Sequence, residues 1–183
     1  MKTVYIFLGE GFEEMEAVTP LDLLRRVGVD GKFVSIGSSL QVRGAHDILF
    51  TADLLFEEAM TKKPDGVVLP GGMPGTTNLL AHKGLCSLIK EFAMEKKPIC
   101  AICAAPLILG ELGLLTGKTA TIYPGMENKL LGAVPSESSV CIDGNIITSR
   151  GPGTAIPFSL KLAELFAGKE AADQLTADIV YQK

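Results

Sequence analysis

Ile99-Cys100-Ala101-Ile102-Cys103-Ala104-Ala105-Pro106 changes character halfway along. The apolar run up to Ile102 reads as a short buried strand, and Pro106 opens a helix, where its missing N–H costs nothing. A strand that turns sharply into a helix, with one reactive side chain at the turn, is the layout of a nucleophile elbow. The strand and helix backbones crowd there, so the positions two before and two after the nucleophile must be small, and Ala101 and Ala105 are. A Cys103 thiol so placed faces the first N–H groups of the helix, whose partial positive charge favours thiolate and predicts a lowered pKa. A buried structural cysteine fits the same residues. For Cys100, inside the strand, the structural reading is the better one.

Working outward, strands are expected at Val4–Leu8, Phe33–Ile36, Gly66–Leu69, Thr119–Ile122 and Ile146–Ser149, beside Ile99–Ile102. Most are continuously apolar, as strands covered on both faces are. Helical spacing marks Leu21–Val27, Leu85–Glu95 and Gly153–Phe166 between them. Leu40–Phe50 reads as a small hairpin outside the main sheet, and Asp143-Gly144-Asn145 as a tight turn returning Val140–Ile142 to Ile146. The alternation predicts one doubly wound α/β domain over 1–183, with a mostly parallel sheet.

Composition narrows the function. With 183 residues and 47% apolar content the chain can bury a full core. No apolar run reaches the length of a membrane span, and Val4–Leu8 is too short for the apolar region of a signal peptide. A net charge of −4 without a basic cluster argues against nucleic acid. The four cysteines, at 86, 100, 103 and 141, form no disulfide framework, so a reducing cytoplasm is expected. Only His46 and His82 are present, and neither follows Cys103. That excludes the downstream histidine a glutamine amidotransferase requires, and makes a histidine-built metal site improbable. No metal and no cofactor is expected.

Ligands in such folds bind beyond the carboxyl ends of the strands. The segments found there are Gly9–Glu16, Pro70–Gly75, Cys103, Tyr123-Pro124 and Arg150–Thr154. Each has a plain alternative. Glu13, Glu14 and Glu16 fit solvated acids of a first helical turn. Gly71-Gly72 fits a tight turn, or bare backbone N–H groups that approach an oxyanion at Cys103. Arg150 fits an anionic substrate group or a surface ion pair.

Four motifs in order, Glu13-Glu14-Met15-Glu16, Val68-Leu69-Pro70-Gly71-Gly72, Ala101–Pro106 and Thr148–Thr154, resemble the ThiJ/PfpI superfamily over essentially the whole chain. The resemblance is to the branch of the Parkinsonism-associated deglycase and its bacterial relatives. It implies a flavodoxin-like, class I glutamine amidotransferase-like fold and a cytoplasmic homodimer. It implies that Cys103 is the nucleophile, that a protonated Glu16 hydrogen-bonds to it, and that N–H groups of Gly72 and Ala104 form the anion pocket. Two positions depart from the family. Tyr123 stands where glyoxalase members have a histidine before proline, and Ala104 where PfpI peptidases have one after the nucleophile. The second makes peptidase activity improbable. The first leaves acid/base work to Glu16, a phenol being a poor base at neutral pH. The resemblance also implies that the Leu40–Phe50 hairpin joins two copies, burying Val42, Ile48 and Phe50, and brings His46 toward the partner's Cys103. The activity implied is cofactor-free removal of 2-oxoaldehydes such as methylglyoxal and glyoxal, or of their early protein adducts. The competing reading is a redox-responsive stress protein or chaperone in which Cys103 is oxidised.

Overall fold

The computed structural model describes residues 1–182. In chain order its strands are β1 (Thr3–Leu8), β2 (Asp30–Ser35), β3 (Gln41–Arg43), β4 (Leu49–Thr51), β5 (Leu54–Leu55), β6 (Gly66–Leu69), β7 (Ile99–Ile102), β8 (Thr119–Ala120), β9 (Val134–Pro135), β10 (Val140–Asp143) and β11 (Ile146–Ser149). The α-helices are α1 (Glu14–Arg26), α2 (Phe56–Ala59), α3 (Gly75–Ala81), α4 (Lys83–Met94), α5 (Pro106–Glu111), α6 (Ala155–Ala167) and α7 (Lys169–Asp178). Seven strands form one sheet in the order β10-β11-β7-β6-β1-β2-β5. Every pair is parallel except β10 with β11. This is a doubly wound α/β fold of the flavodoxin-like, class I glutamine amidotransferase-like kind.

Strand β1 shows why the central strands are so largely apolar. Tyr5 and Phe7 enter the core on one face with Leu69, Ile89 and Phe92. Val4, Ile6 and Leu8 enter the other with Leu24, Phe158 and Leu162. Successive side chains of a strand point to opposite faces, and helices cover both.

Three sequence expectations are corrected. Thr119–Ile122 contributes only the two residues of β8, which pair with β9 outside the main sheet, because the Thr121 N–H donates to Thr148 Oγ1 (2.9 Å) instead of a strand carbonyl. Helix α1 starts at Glu14 and carries Pro20 in its interior, whereas the spacing placed its start at Leu21. The Leu40–Phe50 hairpin does lie outside the main sheet, as β3 paired with β4, but most of its apolar surface is satisfied at home. Val42 is buried, and Phe50 packs edge-on against Phe12 and Phe33 of its own chain. Only Ile48 of the three expected interface residues is exposed.

Candidate active site

Strand β7 delivers Cys103 to the carboxyl edge of the sheet, where its N–H still donates to the Ser149 carbonyl of the neighbouring strand (3.0 Å). The chain then reverses, and Cys103 takes φ +62°, a left-handed conformation that non-glycine residues adopt at some cost. Ala105 precedes the helix and Pro106 begins it. Ala101 and Ala105 are fully buried in the crowded turn.

Backbone N–H groups of Ala104 and Gly72 hydrogen-bond to the Cys103 sulfur and pull its pKa down. Gly71 explains the double glycine. A Cβ at position 71 would lie 2.7 Å from the Cys103 Cβ, 2.8 Å from Glu16 Oε2 and 3.0 Å from the Ala104 nitrogen. Only a hydrogen fits between the Cys103 thiol and the Glu16 carboxyl. The Gly71 N–H meanwhile donates to Glu16 Oε2 (2.8 Å), fixing the carboxyl beside the thiol.

Glu16 is wholly buried, and its Oε1 has no hydrogen-bond partner among the described residues. Burial raises its pKa to about 7; the bond from Gly71 and the contact with Cys103 oppose the rise, and the charge of Glu13 adds to it. Cys103 departs from the sequence expectation. Burial and then the Glu16 carboxylate push the thiol up to about 12, against the pull of the two N–H groups. The elbow amides are therefore outweighed whenever Glu16 is ionised. Between these two values the pair holds a single proton, on carboxylate or thiolate. Cys100 is buried and pushed up by burial alone, as a structural cysteine should be.

The loops singled out in the sequence do meet. The Glu13 N–H donates to the Gly71 carbonyl (2.9 Å) and the Tyr123 N–H to the Cys103 carbonyl (2.9 Å). A Cβ at Gly151 would rest 3.4 Å from the half-exposed Tyr123 ring. Arg150 makes no ion pair among the described residues; its guanidinium donates to the Glu137 carbonyl (2.8 Å). His46 sits over the first turn of α1. Its N–H donates to Glu14 Oε1 (2.7 Å), and its Nδ1 lies 2.7 Å from Glu14 Oε2 and 3.5 Å from Glu13 Oε2. The hydrogen bond with Glu14, then the charges of Glu13 and Glu14, raise the His46 pKa. These three side chains have ligand atoms within 4.8 Å of one another and are the one group among the described residues that a cation could join. Glu14, buried and bonded to His46, was indistinguishable in sequence from Glu13; its signal was Gly44, where any Cβ would collide with the Glu14 carboxylate.

Comparison with known proteins agrees with this geometry. Residues 2–165 match the model of the DJ-1/PfpI family. The chain belongs to that family. It is 36% identical over 183 residues to the Parkinson disease protein 7 homolog of Danio rerio, covering 98% of this chain and 97% of that protein. It is 43% identical over 179 residues to protein DJ-1 homolog A of Arabidopsis thaliana, covering 96% of this chain and 46% of the relative. The chain thus spans under half the length of the two Arabidopsis relatives. Among solved structures, oxidized DJ-1 of Toxoplasma gondii superposes with a TM-score of 0.96 at 33% identity, over 100% of both chains. Drosophila melanogaster DJ-1beta does so at 0.94 and 34%, over 100% of this chain and 99% of that one. In this DJ-1/PfpI chain no described helix is long and apolar enough to cross a membrane.

Proposed function

We propose that this protein is a cysteine-dependent, cofactor-independent enzyme acting on 2-oxoaldehydes, or on the early adducts they form on proteins. The observation that carries the reading is the pairing of Cys103, at φ +62° under two N–H donors, with a buried Glu16 that keeps its proton up to about 7. A relative 32% identical over 152 residues, from Pyrococcus abyssi, is named a deglycase, which supports the same class.

The chemistry balances with Glu16 as the one proton carrier. The Cys103 thiolate adds to the aldehyde carbon, and Glu16 gives its proton to the new alkoxide held by the Gly72 and Ala104 N–H groups. The product is a hemithioacetal. The Glu16 carboxylate then takes the proton from that carbon and returns it to the neighbouring carbon, while the hydroxyl proton of the hemithioacetal passes to the former ketone oxygen, leaving a 2-hydroxy thioester. Water cleaves the thioester, releasing the 2-hydroxy acid and the thiol. From methylglyoxal and water the product is lactate, with neither glutathione nor metal consumed. Product analysis with methylglyoxal tests this: wild type should form lactate and Cys103→Ser should not. Equal lactate from both would overturn the reading.

The oxidation reading has its own support in the unpartnered, buried Glu16 Oε1. A sulfinate on Cys103 would offer an acceptor to a protonated Glu16, holding oxidation at that stage. Mild peroxide should therefore add oxygen to Cys103 before the other three cysteines, resting at two oxygens by peptide mass spectrometry. Cys86 or Cys141 oxidised first would contradict it.

We further propose that the 183 residues form one domain, act in the cytoplasm and pair as a homodimer. Met15 and Val18 on α1, with Ile48 and Leu49 on the hairpin, leave apolar surface exposed on elements that touch each other through Glu14 and His46. Such a dimer would set His46 near a neighbour's site. His46→Ala should then shift the pH–rate profile while the chain stays folded, its melting temperature lowered by loss of the bond to buried Glu14. A monomer in sedimentation at micromolar concentration would remove this role.

A further inference from the structure

A second cavity, of about 620 Å³, opens at the end of the sheet opposite Cys103. It lies at the amino ends of β7 and β11, around Pro98 and Asn145, between α6 and the turn that follows α4. Its floor is apolar. Ile142 and Ile147 pair directly across β10 and β11, so they share one face, and Leu165 of α6 lies alongside. Ile142 and Leu165 are 55% and 48% exposed, so this apolar surface faces solvent rather than the core.

The rim is cationic. Lys96, Lys118 and Lys161 line it, in a chain whose net charge is −4. Two of them have local partners: Lys118 lies 3.5 Å from Asp143 and Lys161 2.8 Å from Glu164. Lys96 makes no ion pair among the described residues. The groove therefore keeps one positive charge in excess.

Lys96 is also where the backbone is strained. It follows the end of α4 with φ +54°, its N–H bonded to the Ala93 carbonyl (3.2 Å) and the Lys97 N–H to the Phe92 carbonyl (2.9 Å). Glycine is the residue that favours this helix-terminating position. A lysine there gives up backbone stability, and its side chain lines the cavity beside the apolar residues; an outlier of this kind motivates a functional hypothesis.

One excess cation above an apolar trough suits a ligand with one negative charge and one flexible tail. A nucleotide suits it poorly, because the lining has no aromatic ring to stack a base and two carboxylates at the rim oppose multiple charge. We propose that this groove binds the anion of a medium-chain fatty acid, its carboxylate at Lys96 and its chain along Ile142 and Leu165.

Titration of the isotope-labelled full chain with octanoate, followed by amide shifts, tests this. Saturable binding below about 1 mM is expected, confined to 93–98, 118, 142–147 and 161–165. Hexanoate, octanoate and decanoate should tighten by about three- to fourfold per methylene, the transfer free energy of a buried CH₂. Lys96→Gly is the decisive variant, because glycine relieves the positive φ and so keeps the fold. It should weaken octanoate about tenfold while the melting temperature holds or rises, and Lys96→Arg should retain binding. The proposal fails if octanoate gives no saturable shifts, if shifts scatter over the surface, if Lys96→Gly binds as wild type does, or if octylammonium binds equally well.

Discussion

Gly71→Ala should lower methylglyoxal turnover by about a hundredfold or more, the effect of displacing reacting groups by roughly 1 Å. The added methyl would fall within 2.8 Å of both the Cys103 Cβ and Glu16 Oε2, and 3.0 Å from the Ala104 nitrogen. The Glu16 oxygen ends a side chain, but that side chain is buried and held by the Gly71 N–H, and the other two atoms belong to the elbow itself. Either the elbow or α1 must retreat, and both hold the nucleophile–acid pair together. Position 71 has no left-handed backbone requirement, so the cost comes from crowding at the site. Steady-state kinetics of the variant would show it, and turnover within a few fold of wild type would mean that the contact between Cys103 and Glu16 is not used.

Glu16→Gln should separate the two halves of the proposed reaction. The amide can still donate to sulfur but cannot carry a proton between carbons, so lactate formation should fall by about 10²- to 10⁴-fold. Alkylation of Cys103 should persist, and at higher rate above neutral pH. The Glu16 carboxylate is a cause of the rise of the thiol to about 12, so its removal lowers the Cys103 pKa. Glu16→Asp should disturb the pair more, by shortening its reach.

The same variant should reveal what Glu16 costs the fold. Its pKa is higher folded, about 7, than the 4.5 of the unconstrained group. The folded state then binds the extra proton, so stability is full below 4.5 and declines as pH rises through 7. The loss is on the order of 3 kcal/mol. Glu16→Gln should therefore melt above wild type at pH 8 and lose that advantage at pH 4, as read by thermal unfolding.

Much of this fold could be read in the sequence because β1, β6 and β7 are apolar almost throughout, as strands of a sheet covered on both faces are. The elbow was equally visible, since small residues flank one cysteine between a strand and a proline. Elements were missed where local chemistry overrides pattern. The helical spacing becomes legible only at Leu21, yet Pro20 sits inside α1, where its absent N–H leaves the Glu16 carbonyl without its usual donor. Helix α7 buries little beyond Ala172 and Leu175, too few for a legible stripe. At the site, Cys103, Glu16, Gly72 and Ala104 were each identifiable by motif. What the motifs could not give was the balance of burial against N–H donation at sulfur, or the capture of His46 by Glu14, because both depend on distances between segments far apart in the chain.

The central claim is that Glu16 and Cys103 share one proton between pH values of about 7 and about 12, so that part of the population pairs a carboxylic acid with a thiolate. Thiolate ultraviolet absorbance against pH, with Cys103→Ser subtracted, measures this directly. The account predicts a Cys103-dependent rise in two steps, a partial one near 7, where the pair gives up its first proton, and completion near 12. Absorbance that stays flat until the pH approaches 12 would place that proton on sulfur, and would contradict it.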